Sequence, residues 1–242
     1  MIEELLNFSE ENIISLLLSK TLYICMMNDP TNNATKVAEF LLKINAVKLQ
    51  PTNHFIWASG WKSPIYCDNR KILGHPEIRT YIKNEFVSII KKSYSPSCIA
   101  GVATGGIGIG ALVADELNLP FCYVRSEAKS HGMKNNIEGD LRKHDKVYVI
   151  EDLISSGKSS LKAVRDLQNF GVEVIALGAI FSYGFQKAID DFKKEACSFI
   201  TLSNYSTLIY AALKNNYISK SDLETLNLWR KNPAIWKRNA EN

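Results

Sequence analysis

Residues 147–160, VYVIEDLISSGKSS, constrain the fold of this chain more than any other stretch. Residues 147–150 are apolar or aromatic and favour a β-strand, which leads into the adjacent carboxylates Glu151 and Asp152. A short run of hydroxyl-bearing residues with one glycine follows, and an apolar spacing typical of a helix starts at Leu161. The stretch therefore predicts a strand, a tight turn and the start of a helix.

This turn has the chemistry of a phosphate site. Backbone N–H groups at the start of a helix lack an intrahelical partner, and the helix dipole places roughly half a positive charge there. A dianion can be wrapped by the residues Ser155, Ser156, Gly157, Lys158 and Ser159. Glu151 and Asp152 would repel a bare phosphate, but their oxygens can accept hydrogen bonds from two sugar hydroxyls. A ribose with a 5-phosphate satisfies both halves.

Two other interpretations of the stretch are weaker. Gly157, Lys158 and Ser159 also fit the end of the P-loop pattern G-x-x-x-x-G-K-[ST], but that pattern requires a glycine where this chain has Asp152. A buried strand with an ordinary capped turn is the alternative without a ligand, yet two carboxylates after an apolar strand are costly unless something satisfies them.

The stretch resembles the phosphoribosyl-diphosphate (PRPP) motif of type I phosphoribosyltransferases. The resemblance implies that PRPP is bound by residues 151–159, which include Leu153 and Ile154.

Composition places the chain among ordinary globular proteins. Its 242 residues are 46% hydrophobic and 22% charged, enough to bury a core. The formal charge of +4 without a Lys/Arg run does not favour a nucleic-acid partner. Five scattered cysteines without a C-x-x-C pair indicate a reducing cytoplasm and neither zinc nor a disulfide framework. The apolar window 13–27 is interrupted by polar residues, so neither a signal peptide nor a membrane span is expected.

A second ligand-type turn is predicted after residues 98–103, a short apolar strand. Thr104 and Gly105 open a glycine-rich run into a helix, and residues 106–111 also meet the dinucleotide-binding form G-x-G-x-x-A. Arg125 follows the next strand, where an NADP-binding arginine can lie, so an NADP-dependent oxidoreductase is a distant alternative. In phosphoribosyltransferases the same place carries a loop whose amides hold pyrophosphate. The resemblance implies that role for Thr104 and Gly105.

Residues 55–71 contain two short β-like runs around a Ser-Gly turn, followed by a polar cluster. A plain surface hairpin is one interpretation, because aromatic-rich hairpins are common. The block also resembles the hairpin over the base site of orotate phosphoribosyltransferases. The resemblance depends on Ser59, Gly60, Ser63, Pro64 and Tyr66. It implies orotate as the base.

Arg125, Lys129 and His131 precede a glycine at spacings of four and two. Taken singly, Lys129 is a solvated charge and His131 a satisfied loop histidine. Together they resemble the catalytic loop of orotate phosphoribosyltransferases, Arg-x-x-x-Lys-x-His-Gly, and the resemblance implies that they act with Asp152 in catalysis. Such donors suit a departing pyrophosphate. Many family members have a lysine directly after the arginine, whereas this chain has Ser126, so one charge contact is absent or supplied elsewhere.

Two departures from the better-known orotate enzymes concern the base. Ala58 stands where many have a lysine, and Tyr183 stands where many have an arginine that contacts the orotate carboxylate. Arg70 and Lys62 are candidate replacements for that carboxylate partner. The predicted orotate contacts are Ser155, Tyr66, Arg70 and Tyr183.

Strands that alternate with helices predict an α/β fold, here the type I phosphoribosyltransferase fold with a central, mainly parallel sheet, flanking helices and a small N-terminal hood. Ligands of such sheets bind at the carboxyl ends of the strands, where the candidate residues fall. We expect a helical extension over residues 1–33, a hood and base-binding region over 34–75, the core over 76–215 and a helical tail over 216–242. The aromatic part of the tail is expected to pack as a cap.

The resemblance implies transfer of the 5-phosphoribosyl group from PRPP to orotate, giving orotidine 5′-monophosphate and pyrophosphate. Mg²⁺ is expected to bind mainly through PRPP and pyrophosphate oxygens, without an all-protein metal site. The family also implies a homodimer in which the loop 125–137 reaches the neighbouring subunit's site. The alternatives are a phosphoribosyltransferase for another base and a PRPP-sensing, nucleic-acid-binding regulator of the same fold, against which the loop argues. Neither nucleic acid nor a membrane is an expected partner.

Overall fold

The computed structural model describes residues 32–57, 60–126 and 136–236. The helices are α1 (Asn32–Lys43), α2 (Pro76–Ser93), α3 (Gly105–Leu117), α4 (Lys158–Phe170), α5 (Gln186–Lys194), α6 (Tyr205–Lys214) and α7 (Asp222–Lys231). The strands are β1 (Val47–Leu49), β2 (Phe55–Ile56), β3 (Lys62–Ser63), β4 (Ile65–Cys67), β5 (Cys98–Val102), β6 (Phe121–Val124), β7 (Ile137–Glu138), β8 (Lys146–Ile154), β9 (Glu173–Ser182) and β10 (Phe199–Asn204). A 3-10 helix spans Asn69–Gly74. The expected extension over residues 1–33 lies almost wholly outside the described residues.

The central sheet has six strands in the order β10-β9-β8-β5-β6-β7. Its pairings are parallel apart from β6 with β7, which is antiparallel. Strand β8 pairs with β5 on one side and with β9 on the other. A strand paired on both edges and covered on both faces is expected to be almost continuously apolar, as residues 147–150 are. The predicted α/β fold with a mainly parallel sheet is confirmed.

Strand β8 is longer than the sequence predicts. The apolar pattern places its end at residue 150, whereas the strand continues to Ile154. The reason is the pairing with β9, which persists until Ile154 lies opposite Ser182. Both carboxylates therefore lie within the strand, and the turn begins at Ser155.

Helices cover both faces of the sheet. Helices α4 and α5 pack on one face, where Val164, Leu167 and Phe192 lie in one apolar cluster with Val149 and Leu177 of the sheet. The other helices pack on the opposite face in a larger apolar cluster that also includes the N-terminal strands. Two hydrophobic layers around one sheet are the arrangement that a buried parallel sheet requires.

Helix α2 buries an apolar stripe. Pro76 occupies the first turn, where the missing N–H of proline leaves no hydrogen bond unmade. Ile78, Ile82, Phe86 and Ile90 recur every four residues along the helix and are buried. The stripe therefore belongs to the hydrophobic core.

The segment predicted as a hood, residues 34–75, is continuous with the core. Helix α1 packs against α6 and β10, and its residues Val37 and Leu41 belong to the same apolar cluster as Ile65 and Ile72. Strand β1 pairs antiparallel with β4, and β2 pairs with β3 to form the predicted hairpin. Ala58 and Ser59, at its turn, lie outside the described residues. The four domain boundaries stay predictions.

The C-terminal helix α7 completes an aromatic cluster. Trp229 is fully buried, and its ring centroid lies 5.6 Å from that of Trp57, 5.7 Å from that of Tyr183 and 5.5 Å from that of Phe185. The expected packing of the tail as a cap is confirmed at Trp229, while residues 237–242 lie outside the described residues. Trp57 belongs to the hairpin segment, residues 55–67, which contains β2, β3 and β4. The aromatic cluster therefore joins the C-terminal helix to the hairpin segment.

In the described ranges, no helix combines the length and the apolar character needed to cross a bilayer. The free thiols are Cys67, Cys98, Cys122 and Cys197. Cys25 lies outside the described residues.

Candidate active site

The turn between β8 and α4 presents unused hydrogen-bond donors. Gly157 has a φ of +76°, a conformation that glycine tolerates best, and α4 begins directly after it. Within the described part of the chain, no backbone acceptor pairs with the N–H groups of Ser155, Ser156 and Gly157. Lys158 and Ser159 are exposed. Free N–H groups at a helix N-terminus favour a phosphate, which agrees with the predicted role of this turn.

Glu151 and Asp152, both predicted to accept ribose hydroxyls, differ in their surroundings. Glu151 is only 4% exposed. Its Oε2 accepts a hydrogen bond from Ser160 Oγ at 2.9 Å, and its Oε1 accepts one from the Asp152 backbone N–H at 3.0 Å. Asp152 is half-buried. A ribose hydroxyl would compete with Ser160 at Glu151, so Asp152 is the more accessible acceptor.

The two carboxyl groups influence each other's protonation. Burial raises the pKa of Glu151 well above its ordinary value, and the neighbouring charge of Asp152 raises it further. Burial also raises the pKa of Asp152, but the hydrogen bond with Glu151 acts in the opposite direction. Neighbouring carboxyl groups do not ionise independently. Burial thus disfavours the charged form of both carboxyl groups, and at Asp152 the hydrogen bond with Glu151 offsets part of this effect.

The candidates for the pyrophosphate loop lie beside Asp152. Helix α3 begins at Gly105, so the glycine-rich run is helical rather than a turn, and Thr104 before it is exposed. A Cβ atom at Gly105 would overlap the Asp152 carboxylate, so this approach requires glycine. The peptide bond between Ala103 and Thr104 is cis. The neighbouring strands β5 and β8 thus bring Thr104, Gly105 and Asp152 together at one edge of the sheet.

The residues on either side of the predicted catalytic loop, Arg125 and Asn136, are hydrogen-bonded to each other. Arg125, directly after β6, is partly exposed, and its Nη1 lies 3.5 Å from Glu138 Oε1 on β7. The backbone N–H of Arg125 donates to the carbonyl of Asn136 at 2.8 Å, and Asn136 Nδ2 donates to the carbonyl of Arg125 at 3.2 Å. The structure thus places Arg125 at the carboxyl end of β6. Lys129 and His131 lie outside the described residues, so their roles stay predictions.

Two predicted orotate contacts lie on the surface, one on β4 and the other in the 3-10 helix that follows it. Tyr66, on β4, is exposed, and its ring centroid lies 5.6 Å from that of Phe55. Arg70 donates from Nε to Asp68 Oδ1 at 2.6 Å, and this hydrogen bond raises the pKa of Arg70 above its ordinary value. Asp68 therefore occupies part of the guanidinium that is proposed to meet the orotate carboxylate. Ser155, the third contact, is half-buried in the phosphate turn.

Tyr183, the fourth predicted orotate contact, lies mainly in the core. Its side chain is 2% exposed, and its ring centroid lies 5.2 Å from that of Trp57 and 5.4 Å from that of Phe185. Burial raises the pKa of the Tyr183 hydroxyl well above its ordinary value. The structure does not bring the ring to an open surface. The contact of Tyr183 with orotate stays a prediction.

Two residues that support the site were not among those predicted from the sequence. Ser160 is fully buried and donates to Glu151, and Asn69 is buried and donates from Nδ2 to the backbone carbonyl of Asp152 at 2.7 Å. Asn69 belongs to the polar cluster after the hairpin, and Ser160 ends the hydroxyl-rich turn. Those compositions were visible in the sequence. The partner of Asn69 lies 83 residues away, and only the fold reveals it.

Residues 69–208, more than half of the chain, match the family model described as the phosphoribosyl transferase domain. The described fold agrees with this match, because a phosphate-type turn and a carboxylate meet at the carboxyl edge of a parallel sheet. The class of protein is thus that of the phosphoribosyltransferases.

Comparison with known proteins shows to which family within the phosphoribosyltransferases the chain belongs. The orotate phosphoribosyltransferase of Phocaeicola vulgatus is 55% identical over 201 residues, which are 83% of this chain and 95% of that protein. The chain therefore belongs to the orotate phosphoribosyltransferase family. The crystal structure of orotate phosphoribosyltransferase from Aeropyrum pernix matches with a TM-score of 0.66 at 27% identity and covers 76% of this chain and 99% of that one. The Mycobacterium tuberculosis enzyme, solved in complex with PRPP, has the same fold, with a TM-score of 0.58 at 18% identity over 73% of this chain and 98% of that one.

Proposed function

We propose that the chain transfers the 5-phosphoribosyl group of PRPP to orotate, giving orotidine 5′-monophosphate and pyrophosphate. The observation that carries the proposal is the meeting of Asp152, Gly105 and the open turn 155–157 at one edge of the sheet. The carboxylate can accept hydrogen bonds from the hydroxyls of a ribose, and the N–H groups of the turn can donate to its 5-phosphate. The family relationship supports the same substrates, since a relative with this fold has been solved with PRPP bound.

The reaction exchanges one bond at C1 of the ribose for another. A ring nitrogen of orotate forms a bond to C1 while the bond from C1 to the pyrophosphate oxygen breaks, and the electron pair leaves with pyrophosphate. The proton of the attacking nitrogen passes to a phosphate oxygen of the leaving group. Asp152 orients the ribose through its hydroxyls, and the turn 155–159 holds the 5-phosphate. Arg125, Lys129 and His131 stabilise the charge that develops on pyrophosphate.

The proposal includes Mg²⁺ as a cofactor that arrives with PRPP. The described residues include no group of three or more His, Cys, Asp or Glu side chains that could hold a metal ion. The half-buried carboxylate of Asp152, which lies against Gly105, fits a hard cation that retains waters and binds mostly to substrate oxygens. When bound, Mg²⁺ supplies positive charge to the diphosphate.

The oligomeric state and the cellular compartment of the protein are proposed as well. We propose a cytoplasmic homodimer in which the loop 125–137 of each subunit reaches the other subunit's site, with PRPP and orotate as its ligands and without a nucleic-acid partner. The four free thiols in the described ranges support a reducing compartment. Light scattering of the purified protein checks the assembly, and a monomer that retains full activity would contradict the shared loop.

A steady-state absorbance assay tests the activity with PRPP, Mg²⁺ and one base at a time: orotate, uracil, hypoxanthine or adenine. We expect turnover of orotate alone. Lys129→Ala should lower kcat by about 100-fold to 1000-fold, because it removes a donor that acts on the leaving group. Lys187→Ala, an exposed lysine on α5 that pairs with Asp191, is the matched control and should leave kcat unchanged.

The other outcomes identify which part of the proposal fails. Turnover of a different base would mean that the hairpin resemblance at residues 59–66 does not determine the base. If PRPP binds but no base reacts, the chain is a PRPP sensor rather than a transferase.

A further inference from the structure

Asn69 is a buried amide with both of its polar groups in use. Its side chain is 2% exposed at the start of the 3-10 helix that follows the hairpin segment. Its Nδ2 donates to the backbone carbonyl of Asp152 at 2.7 Å, and its Oδ1 accepts from Cys67 Sγ at 3.2 Å. Burying an amide is unfavourable unless it is hydrogen-bonded. The position of Asn69 is therefore closely tied to both partners.

The carbonyl of Asp152 needs such a donor because of how the sheet ends. On the side of β5, the last paired residue is Gly101, opposite Ile150, and β5 ends one residue later at Val102. Strand β8 continues beyond that point, so no strand accompanies Asp152 on this side. A buried carbonyl that has no donor is unfavourable. The amide of Asn69 takes the place that a neighbouring strand would fill.

Asp152 is also held at its other polar groups. Its backbone N–H donates to Glu151 Oε1 at 3.0 Å, and Ser160 Oγ holds the other oxygen of Glu151 at 2.9 Å. Its carboxylate lies against Gly105. Asn69 supplies the remaining restraint, and it is the one that comes from the hairpin side of the molecule, 83 residues away in the chain.

We propose that Asn69 is a positioning residue that fixes Asp152 for its contact with the ribose of PRPP and ties the hairpin segment to the PRPP site. The inference rests on the proposed function, because it takes Asp152 as the ribose acceptor. A side chain that fixes a substrate-binding group should influence the affinity for that substrate more than the affinity for the other one.

Two variants separate positioning from packing. Asn69→Ala removes both hydrogen bonds of the amide. Asn69→Asp keeps the shape and the acceptor for Cys67, but it places an oxygen instead of an N–H against the carbonyl of Asp152. Ser203→Ala is the matched control, since Ser203 is equally buried and its hydroxyl donates to the carbonyl of Ala34 at 2.9 Å, far along the chain from the PRPP site.

The experiment measures KM for PRPP, KM for orotate and kcat for each variant, together with PRPP affinity by calorimetry. We expect KM and Kd for PRPP to rise about tenfold in Asn69→Ala and by more in Asn69→Asp, while KM for orotate changes less than about twofold. Ser203→Ala should leave all three constants unchanged. Circular dichroism establishes that each variant is folded at the assay temperature, and Asn69→Asp, which keeps the side-chain volume, serves if the alanine variant does not fold.

Failure of this inference differs from failure of the proposed function. If both Asn69 variants bind PRPP as tightly as Ser203→Ala does, Asn69 only supports packing and the inference is overturned. If the unaltered chain binds PRPP but does not turn over orotate, the proposed activity is wrong, and the calorimetric comparison still decides the role of Asn69. If the unaltered chain does not bind PRPP, both are wrong.

Discussion

Replacing Gly105 with alanine tests whether the position of Asp152 governs activity. The added Cβ would overlap the Asp152 carboxylate, whereas ordinary van der Waals contact begins at 3.4 Å. The carboxylate must therefore shift by roughly 1 Å, and a misplacement of that size can cost about 100-fold in rate. The displaced atoms belong to a side chain, so α3 and the sheet can keep their places. We expect kcat/KM for PRPP to fall about 100-fold while the thermal unfolding midpoint changes little.

The orotate absorbance assay measures this loss, and Gly74→Ala is the matched control. A Cβ at Gly74, the last residue of the 3-10 helix, meets nothing within 4 Å. That variant should keep the activity of the unaltered chain. The reasoning is refuted if Gly105→Ala is folded and keeps kcat/KM within about threefold of the unaltered chain. It is also refuted if Gly74→Ala loses as much activity as Gly105→Ala does.

Two further predictions concern stability. Trp229→Ala should lower the free energy of unfolding by about 3–5 kcal/mol in urea titrations, because it empties the centre of the aromatic cluster. The control is Leu228→Ala, at a side chain that is 53% exposed, which should cost less than about 0.5 kcal/mol. Equal losses in the two variants would contradict a stabilising role of the cluster. Burial raises the pKa of Glu151 in the folded chain above its ordinary value of 4.5, so between these two values the folded chain keeps a proton that the unfolded chain has lost. Raising the pH from about 5 to about 8 should therefore lower the free energy of unfolding. Glu151→Gln should flatten this slope, and an unchanged slope would show that another group is responsible.

The pattern of residues 147–160 is enough to predict the strand, the phosphate turn and the start of α4, because each depends on interactions between near neighbours in the chain. The same holds for β6, the strand predicted before Arg125 and observed at Phe121–Val124. Parallel pairing followed from strands that alternate with helices. The end of β8 was predicted too early, since its last residues are ordered by β9 rather than by their own sequence.

Sequence and fold contributed differently to the site. The adjacent carboxylates and the turn of N–H donors could be predicted from the sequence, because they occupy nine consecutive residues, 151–159. Three contacts could be recognised only from the fold: Tyr183 packs in an aromatic cluster with Trp229, Ser160 donates to Glu151, and Asn69 donates to Asp152. These contacts join residues that are far apart in the chain or on opposite sides of a turn. Their formation depends on which strands end first and which helices cover them, and local sequence patterns do not encode that order.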